Sequence, residues 1–161
     1  MNAIDLLEQQ HKEVKALFAR YEKASSVDAK RRLFEQIADD LAVHAAIEEK
    51  HFYPATKSAR TSDLLQEAVE EHLQAKRLIA DLLEMEVDDA QFDAKMGVLK
   101  EEIEHHVEEE EGELFPQVKQ LLAEDELEDL GTVMEDLADE IKEDGAPRAQ
   151  VPAETVEAAQ I

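Results

Sequence analysis

Histidine and glutamate occur twice in this chain in the same short pattern. His44 is followed four residues later by Glu48, and 62 positions further on His106 is followed four residues later by Glu110. In each copy a second glutamate follows directly, and a proline stands ten residues after the histidine. Residues four apart lie on the same side of a helix, so an imidazole nitrogen and a carboxylate oxygen can hold one metal ion there. The pattern predicts a duplicated metal site.

Two further histidines precede these patterns, His11 before the first and His72 before the second, 61 positions apart. Apolar residues recur around all four histidines at intervals of three and four, which is typical of the inner face of a helix. They are Ile4, Leu7, Val14, Phe18 and Tyr21 for the first helix, Ile37 and Leu41 for the second, Leu65, Val69, Ile79 and Leu83 for the third, and Phe92, Met96, Leu99 and Ile103 for the fourth. The four histidines therefore take core positions.

Turn signals divide this sequence into four helices and predict an all-α, up-down-up-down four-helix bundle over residues 1–122. At about 1.5 Å per residue, the histidines stand at matching distances from the turns, to within about one helical turn. All four then fall in one inward-facing layer. Glu48 and Glu110 lie one turn along from His44 and His106, and they join it.

A structural explanation competes with this one, because a single core histidine is more often a packing residue with one satisfied hydrogen bond. Buried ionised carboxylates, however, cost several kcal/mol unless they are paired or bind a metal. No arginine lies on these inner faces to pair with Glu48 and Glu110. The combination of four histidines and two carboxylates at one depth therefore favours metal binding.

Composition limits what else the protein does. The 161 residues include no cysteine, which excludes disulfides and thiolate metal ligands, and the formal net charge is −24. That charge repels nucleic acid and anionic membranes. No apolar run approaches the roughly 20 residues of a transmembrane helix, and the first residues lack signal-peptide character. We expect a cytoplasmic protein.

These residues resemble the hemerythrin-like HHE cation-binding domains over about residues 1–120. The resemblance is carried by His11, His44, Glu48, His72, His106 and Glu110 and by the two prolines. It implies two non-haem iron ions joined by carboxylates and a solvent-derived oxygen. Glu48 and Glu110 would be the bridges, with His11 and His44 toward one iron and His72 and His106 toward the other. The donor types alone also suit manganese, zinc or copper.

One position departs from the oxygen-carrying members of that family. They have a second histidine one turn after the third-helix ligand, where this chain has Lys76. A carboxylate also stands at Glu110, four residues after His106, where the carriers have an aspartate five residues after it. The chain is more similar to the symmetric bacterial type, and reversible oxygen carriage is not the expected function.

Several other residues compete for roles at the site. His51 lies two turns after His44, and its counterpart in the repeat is Glu113; this favours a place beside the site over ligation, which stays open. His105 would pair with Glu109 in a register shifted by one residue, but the apolar spacing selects His106. We expect Glu49 and Glu111 either to flank the site or to be solvated, and Tyr21 and Tyr53 to be core residues rather than redox groups.

The chain changes character after the bundle. An apolar stripe predicts an additional acidic helix at residues 123–143, which packs on the bundle or joins two copies in a homo-oligomer. The stripe consists of Leu127, Leu130, Met134, Leu137 and Ile141. Residues 144–161 are rich in Ala, Pro and Gln and are expected to be disordered.

The sequence thus predicts a di-iron protein that binds or reacts with oxygen, peroxide or a related small oxidant, in sensing, detoxification or iron handling. Two alternatives stay open: an iron storage or delivery module without turnover, and a purely structural helical interaction protein. No general acid or base and no substrate pocket can be read from the residues, so whether the protein is an enzyme is undecided.

Overall fold

Helices dominate the computed structural model, which describes residues 1–161 and contains no strand. They are α1 (Ala3–Lys23), α2 (Val27–Ile47), α3 (Tyr53–Ala55), α4 (Ser62–Leu83), α5 (Ala90–Glu109), α6 (Phe115–Leu121) and α7 (Glu124–Glu143). Helices α1, α2, α4 and α5 form the bundle, so the predicted fold class is confirmed. None of the helices combines the length and apolar character that a bilayer crossing requires.

Polar caps fix where three of the bundle helices begin. The side chains of Asn2, Ser26 and Asp89 accept hydrogen bonds from the backbone N–H groups of Asp5, Ala29 and Gln91 respectively. Each bond satisfies one of the donors that a helix start leaves without a partner. The depth of the histidines in the bundle depends on these starting points.

A five-residue π-turn follows each histidine–glutamate pattern, Glu48–Phe52 after α2 and Glu110–Leu114 after α5. Pro54 and Pro116 explain both turns, because proline lacks an N–H and its ring clashes with the carbonyl four residues earlier. The wider turn removes that conflict, and the helix then continues as α3 or α6. Such turns are frequent at functional sites, and here each begins at the glutamate of the pattern.

Two apolar clusters enclose the polar layer from either end of the bundle. The first cluster contains 18 buried residues, among them Ile4, Phe52 and Met134. The second cluster contains 17, among them Phe34 and Phe92. The histidines and carboxylates lie between these clusters, which keep bulk water away from them.

Helix α7 packs on the bundle within the same chain. Leu127, Met134 and Leu137 of its apolar stripe are buried in the first cluster, and Leu130 and Ile141 pack against it. Gly131 permits the close approach, since a Cβ there would overlap the backbone of Met1 and Asn2. The stripe that suggested an oligomer is thus covered by the chain itself.

The expected disorder after residue 144 is wrong. The C-terminal segment (Pro147–Glu154) forms a 3₁₀ helix against α2 and α4. Val151 is only 2% exposed and belongs to the second cluster, and Arg148 forms ion pairs with Glu35 and Asp39 on α2. Burial of one valine and pairing of one arginine order a segment whose composition alone is typical of disorder.

Candidate metal centre

The structure brings all six predicted residues into one buried layer. His11 and His44 come from α1 and α2, and His72 and His106 come from α4 and α5; none of the four is more than 7% exposed. Glu48 and Glu110 open the two π-turns and are 0% and 2% exposed. Each of the four bundle helices therefore contributes one imidazole, and each π-turn contributes one carboxylate.

The layer divides into two groups of three residues whose potential ligand atoms lie within 4.8 Å of one another. One group is His11, His44 and Glu110, and the other is Glu48, His72 and His106. This division of the histidines is the one that the family resemblance implied. Because the ligand atoms of each group converge, each group offers a place for one cation.

Both carboxylates contact histidines of the two groups. Glu48 Oε1 lies 2.9 Å from His44 Nε2 and 3.2 Å from His72 Nε2. Glu110 Oε1 lies 3.2 Å from the Nε2 atoms of both His11 and His106. Either carboxylate is therefore positioned between the groups, as a bridge between two cations would be.

Glu48 provides the test of whether a metal fits this layer. Both of its carboxylate oxygens are buried without a hydrogen-bond partner, and so is His44 Nε2, despite the short distance between the two side chains. A buried carboxylate without hydrogen bonds is costly. A cation coordinated by these atoms removes that cost, so the residues fit a metal.

The outward nitrogen of every histidine in the layer has a polar partner. His44 Nδ1 lies 2.6 Å from the Gln10 amide oxygen, and His106 Nδ1 lies 2.8 Å from a Glu71 oxygen. With Nδ1–H donating to these oxygens, the Nε2 lone pair of a neutral ring points into the layer, as metal ligation requires. Gln10 and Glu71 each directly precede a histidine of the layer, so they are equivalent in the duplication.

The second glutamates of the repeated pattern are the other two partners. His72 Nδ1 lies 2.7 Å from Glu49, and His11 Nδ1 lies 3.0 Å from Glu111. Of the two expected alternatives, Glu49 flanks the site: its side chain is only 13% exposed and also pairs with Lys76 at 2.9 Å. The Glu111 side chain is 39% exposed, yet it too holds a histidine. Their repetition directly after Glu48 and Glu110 was the sequence signal for these roles.

Charges within the layer shift the pKa values of its members strongly. Burial alone would lower the pKa of His44, but the carboxylates of Glu48 and Glu110 raise it to about 9. Burial and Glu110 act to raise the pKa of Glu48, yet His44 and His106 hold it below its ordinary value. The carboxylates thus stay ionised and attract positive charge into the layer. Protons and metal cations compete for that position.

Tyr53 is a member of the layer that the sequence did not reveal. Its hydroxyl donates a hydrogen bond to Glu110 Oε2 at 2.8 Å and lies 3.2 Å from His72 Nε2. Burial and the nearby carboxylates raise the pKa of this phenol well above its ordinary value, so it stays neutral. An undistorted helix would put Tyr53, nine residues after His44, on the opposite face; the extra residue in the π-turn rotates it inward by about 100°.

The remaining histidines lie outside the layer. His51 is half-buried within the first π-turn and belongs to no group of convergent ligand atoms. The His105 side chain is 62% exposed and pairs with Glu109 at 3.1 Å and with Glu71 at 3.4 Å. The choice of His106 over His105 for the inner face agrees with this placement.

A narrow apolar cavity of about 40 Å³ adjoins the four imidazole rings. Its walls include Leu41, Ile79 and Ile103 from the bundle and Val151 from the C-terminal segment. A volume of that size holds about three water molecules. Molecules of two to four atoms therefore fit beside the layer.

Fold and site together define a helical bundle of the metal-binding class. Residues 2–118 match the family model described as the hemerythrin HHE cation binding domain. The chain belongs to this family, which confirms the resemblance found in the sequence.

Two known proteins show how far the similarity extends. A DNA nickase of Nostoc sp. is 27% identical over 132 residues, which make up 82% of this chain but only 38% of the nickase. The crystal structure of an HHE cation binding domain-containing protein from Mycobacterium kansasii, an Rv2633c homologue, is 24% identical with a TM-score of 0.77. That alignment covers 96% of this chain and 94% of the other, and it supports the fold.

Proposed function

We propose that the layer binds two iron ions and that the protein reacts there with oxygen, peroxide or a related small oxidant. The observation that carries the proposal is the pair of three-residue groups with Glu48 and Glu110 between them. His11 and His44 are the terminal ligands of one ion, and His72 and His106 are those of the other. The choice of iron rests on the family, because these donors also suit manganese, zinc and copper.

The bound iron would supply the electron transfer to the oxidant. The chain's own residues orient and enclose the reaction. Gln10, Glu49, Glu71 and Glu111 fix the imidazole rings through Nδ1. The Tyr53 hydroxyl holds a proton toward Glu110 Oε2, and the apolar cavity admits small neutral molecules while limiting water.

The presence of Lys76 in place of a histidine favours reaction with a small oxidant over reversible oxygen carriage. Its ammonium group is 2.9 Å from Glu49 Oε1 and 3.2 Å from Glu154, so it is engaged away from the layer. No further protein ligand replaces the histidine that the oxygen carriers have at this position. Both ions are then left with room for a small oxidant.

The nickase name of the Nostoc relative suggests nucleic acid as an alternative substrate. We do not assign that activity to this chain, because its net charge of −24 repels the phosphate backbone. The layer is also buried beneath four helices, where a nucleic acid strand does not reach.

Metal analysis and optical spectroscopy test the proposal. The purified protein is reconstituted anaerobically with ferrous iron, desalted and analysed for bound metal, and its spectrum is recorded before and after addition of peroxide. We expect two irons per chain and peroxide consumption faster than by the same concentration of free iron. Absence of bound metal would contradict the proposal and favour a purely structural interaction protein. Two bound irons without accelerated peroxide consumption would instead identify an iron storage or delivery module.

A further inference from the structure

The duplication creates two equivalent faces between its halves, and the chain covers only one of them. On the face between α2 and α4, the C-terminal segment packs against both helices. On the face between α1 and α5, an open groove of about 530 Å³ extends along Phe18, Ile103 and Val107 to His11. Val107 and Ile103 also line the central cavity, so the groove and the cavity share a wall.

Three ion pairs anchor the C-terminal segment, two near its start and one at its end. Arg148 donates a hydrogen bond of 2.8 Å to Asp39 and also pairs with Glu35, both on α2. Glu154 pairs with the largely buried Lys76 of α4 at 3.2 Å. The segment therefore spans from α2 to α4, directly over the side of the cavity.

Val151, between these anchors, closes the cavity. It is 2% exposed, and together with Glu154 it forms the part of the cavity wall that the bundle helices do not supply. All three ion pairs are partly exposed, and such pairs stabilise weakly, by about 1 kcal/mol or less each. The wall is thus held by one buried valine, by these ion pairs and by two exposed hydrogen bonds from Arg77 to the carbonyls of Thr155 and Val156, and partly exposed contacts of this kind open at low cost.

We propose that the C-terminal segment is a strap that closes the α2/α4 entrance of the metal layer and releases as a unit to admit molecules larger than a diatomic or peroxide. While the strap is closed, the α1/α5 groove is an approach to the layer on the other side of the bundle. The role of the strap rests on the proposed function, whereas its position over the cavity does not. Chelators and organic reductants are the class of molecule whose access it controls.

Thiol labelling measures this access, because the natural chain has no cysteine. Ile79→Cys puts one thiol in the cavity wall, about 10 Å along the helix from His72. Its matched control is Phe18→Cys at the equivalent position of the duplication; Phe18 is as buried as Ile79 but lines the open groove instead of the cavity. Both are labelled with iodoacetamide in the full-length protein, with and without the strap-opening pair Arg148→Ala and Val151→Ser.

Opening the strap should accelerate labelling at position 79 by about tenfold and leave position 18 unchanged within about twofold. A control pair elsewhere on the surface, Arg60→Ala with Val98→Ser, should accelerate neither. Equal acceleration at positions 18 and 79 would show general loosening of the bundle and overturn the inference, as would a folded variant with no acceleration.

A milder substitution keeps the test decisive if the double variant does not fold. Glu154→Gln removes only the charge that pairs with Lys76, and it should accelerate labelling at position 79 about threefold. No acceleration of labelling in this variant would likewise overturn the proposal that the segment is a strap. Because labelling does not require bound iron, a failure here is distinguishable from a failure of the proposed function.

Discussion

The two halves of the duplicated site supply the same ligand types but surround them differently. Tyr53 occupies the position in the first half that Phe115 occupies in the second, and Phe115 stacks parallel to the His11 ring at 6.0 Å. The outer partner of His44 is the neutral Gln10, whereas that of His106 is the charged Glu71. Ligand type is therefore the same in the two halves, while charge and proton donors distinguish the two groups of potential ligands.

Removal of either bridging carboxylate should have the largest effect. Glu48→Gln or Glu110→Gln takes one negative charge from between the two groups, so bound metal should fall from two ions to one or fewer per chain. Metal analysis after desalting measures this. The control His105→Ala removes an exposed histidine outside the layer and should keep two ions. Full loading of both glutamine variants would contradict the bridging roles.

The outer glutamates should have a smaller and unequal effect. Glu49→Gln weakens the hold on His72 Nδ1 and leaves the largely buried Lys76 without its closest partner, whereas Glu111→Gln alters a contact open to solvent. Loss of such outer partners typically lowers metal affinity by about 10- to 100-fold. We expect Glu49→Gln to lower metal affinity by about 100-fold and Glu111→Gln to lower it by about 10-fold.

Competition with a chromogenic chelator measures both affinities. Equal losses of metal affinity in the two variants would show that the burial of the outer glutamate does not influence metal binding. The same titration on wild-type protein gives the reference for each cation position.

The lysines four residues after His11 and His72 offer a matched pair for stability. Lys76 pairs with Glu49 and Glu154 and its side chain is 10% exposed, whereas Lys15 is exposed. Lys76→Met should lower the free energy of unfolding by about 1–3 kcal/mol, because Glu49 loses its closest cation. Lys15→Met should change it by less than about 0.5 kcal/mol. Urea denaturation of the metal-free proteins compares them, and similar losses would contradict the assigned role of Lys76.

The comparison also explains which parts of the site could be predicted from sequence. Helical periodicity fixed the inner faces, and thus the depth of His11, His44, His72 and His106, because apolar spacing reports directly on which side faces the core. Tyr53 was placed in the core but not in the layer, since a π-turn changes the rotation of every residue after it. The proline that causes the turn was visible, but its effect on the backbone was not.

Long-range contacts explain the other differences. Arg148 pairs with residues more than 100 positions away, and composition contains no information on such pairing. For the same reason the sequence did not decide whether Glu49 and Glu111 flank the site or are solvated: their spacing showed the repetition, but the partner of each lies on a helix from the other half. A pattern within one helix predicts its faces, and only the packed bundle shows which neighbour an outward-facing group meets.

The aromatic ring at the start of α3 and α6, Tyr53 in the first half and Phe115 in the second, should give the smallest difference between the halves. Tyr53→Phe removes one hydroxyl that donates to Glu110 Oε2. Two metals should still bind, because the phenol is a neutral hydrogen-bond donor and all six proposed ligands are unchanged.

The loss of that donor makes the Glu110 carboxylate more basic, since a hydrogen bond to the ionised form stabilises it. The optical spectrum of the iron-loaded protein should therefore shift, and the rate of peroxide consumption should change by about three- to tenfold. Phe115→Tyr is the matched control: it adds a hydroxyl on the His11 side, where the ring stacks rather than donates. Identical shifts in the two variants would show that the site responds to any change in ring polarity, and that the hydrogen bond from Tyr53 does not distinguish the two groups of potential ligands.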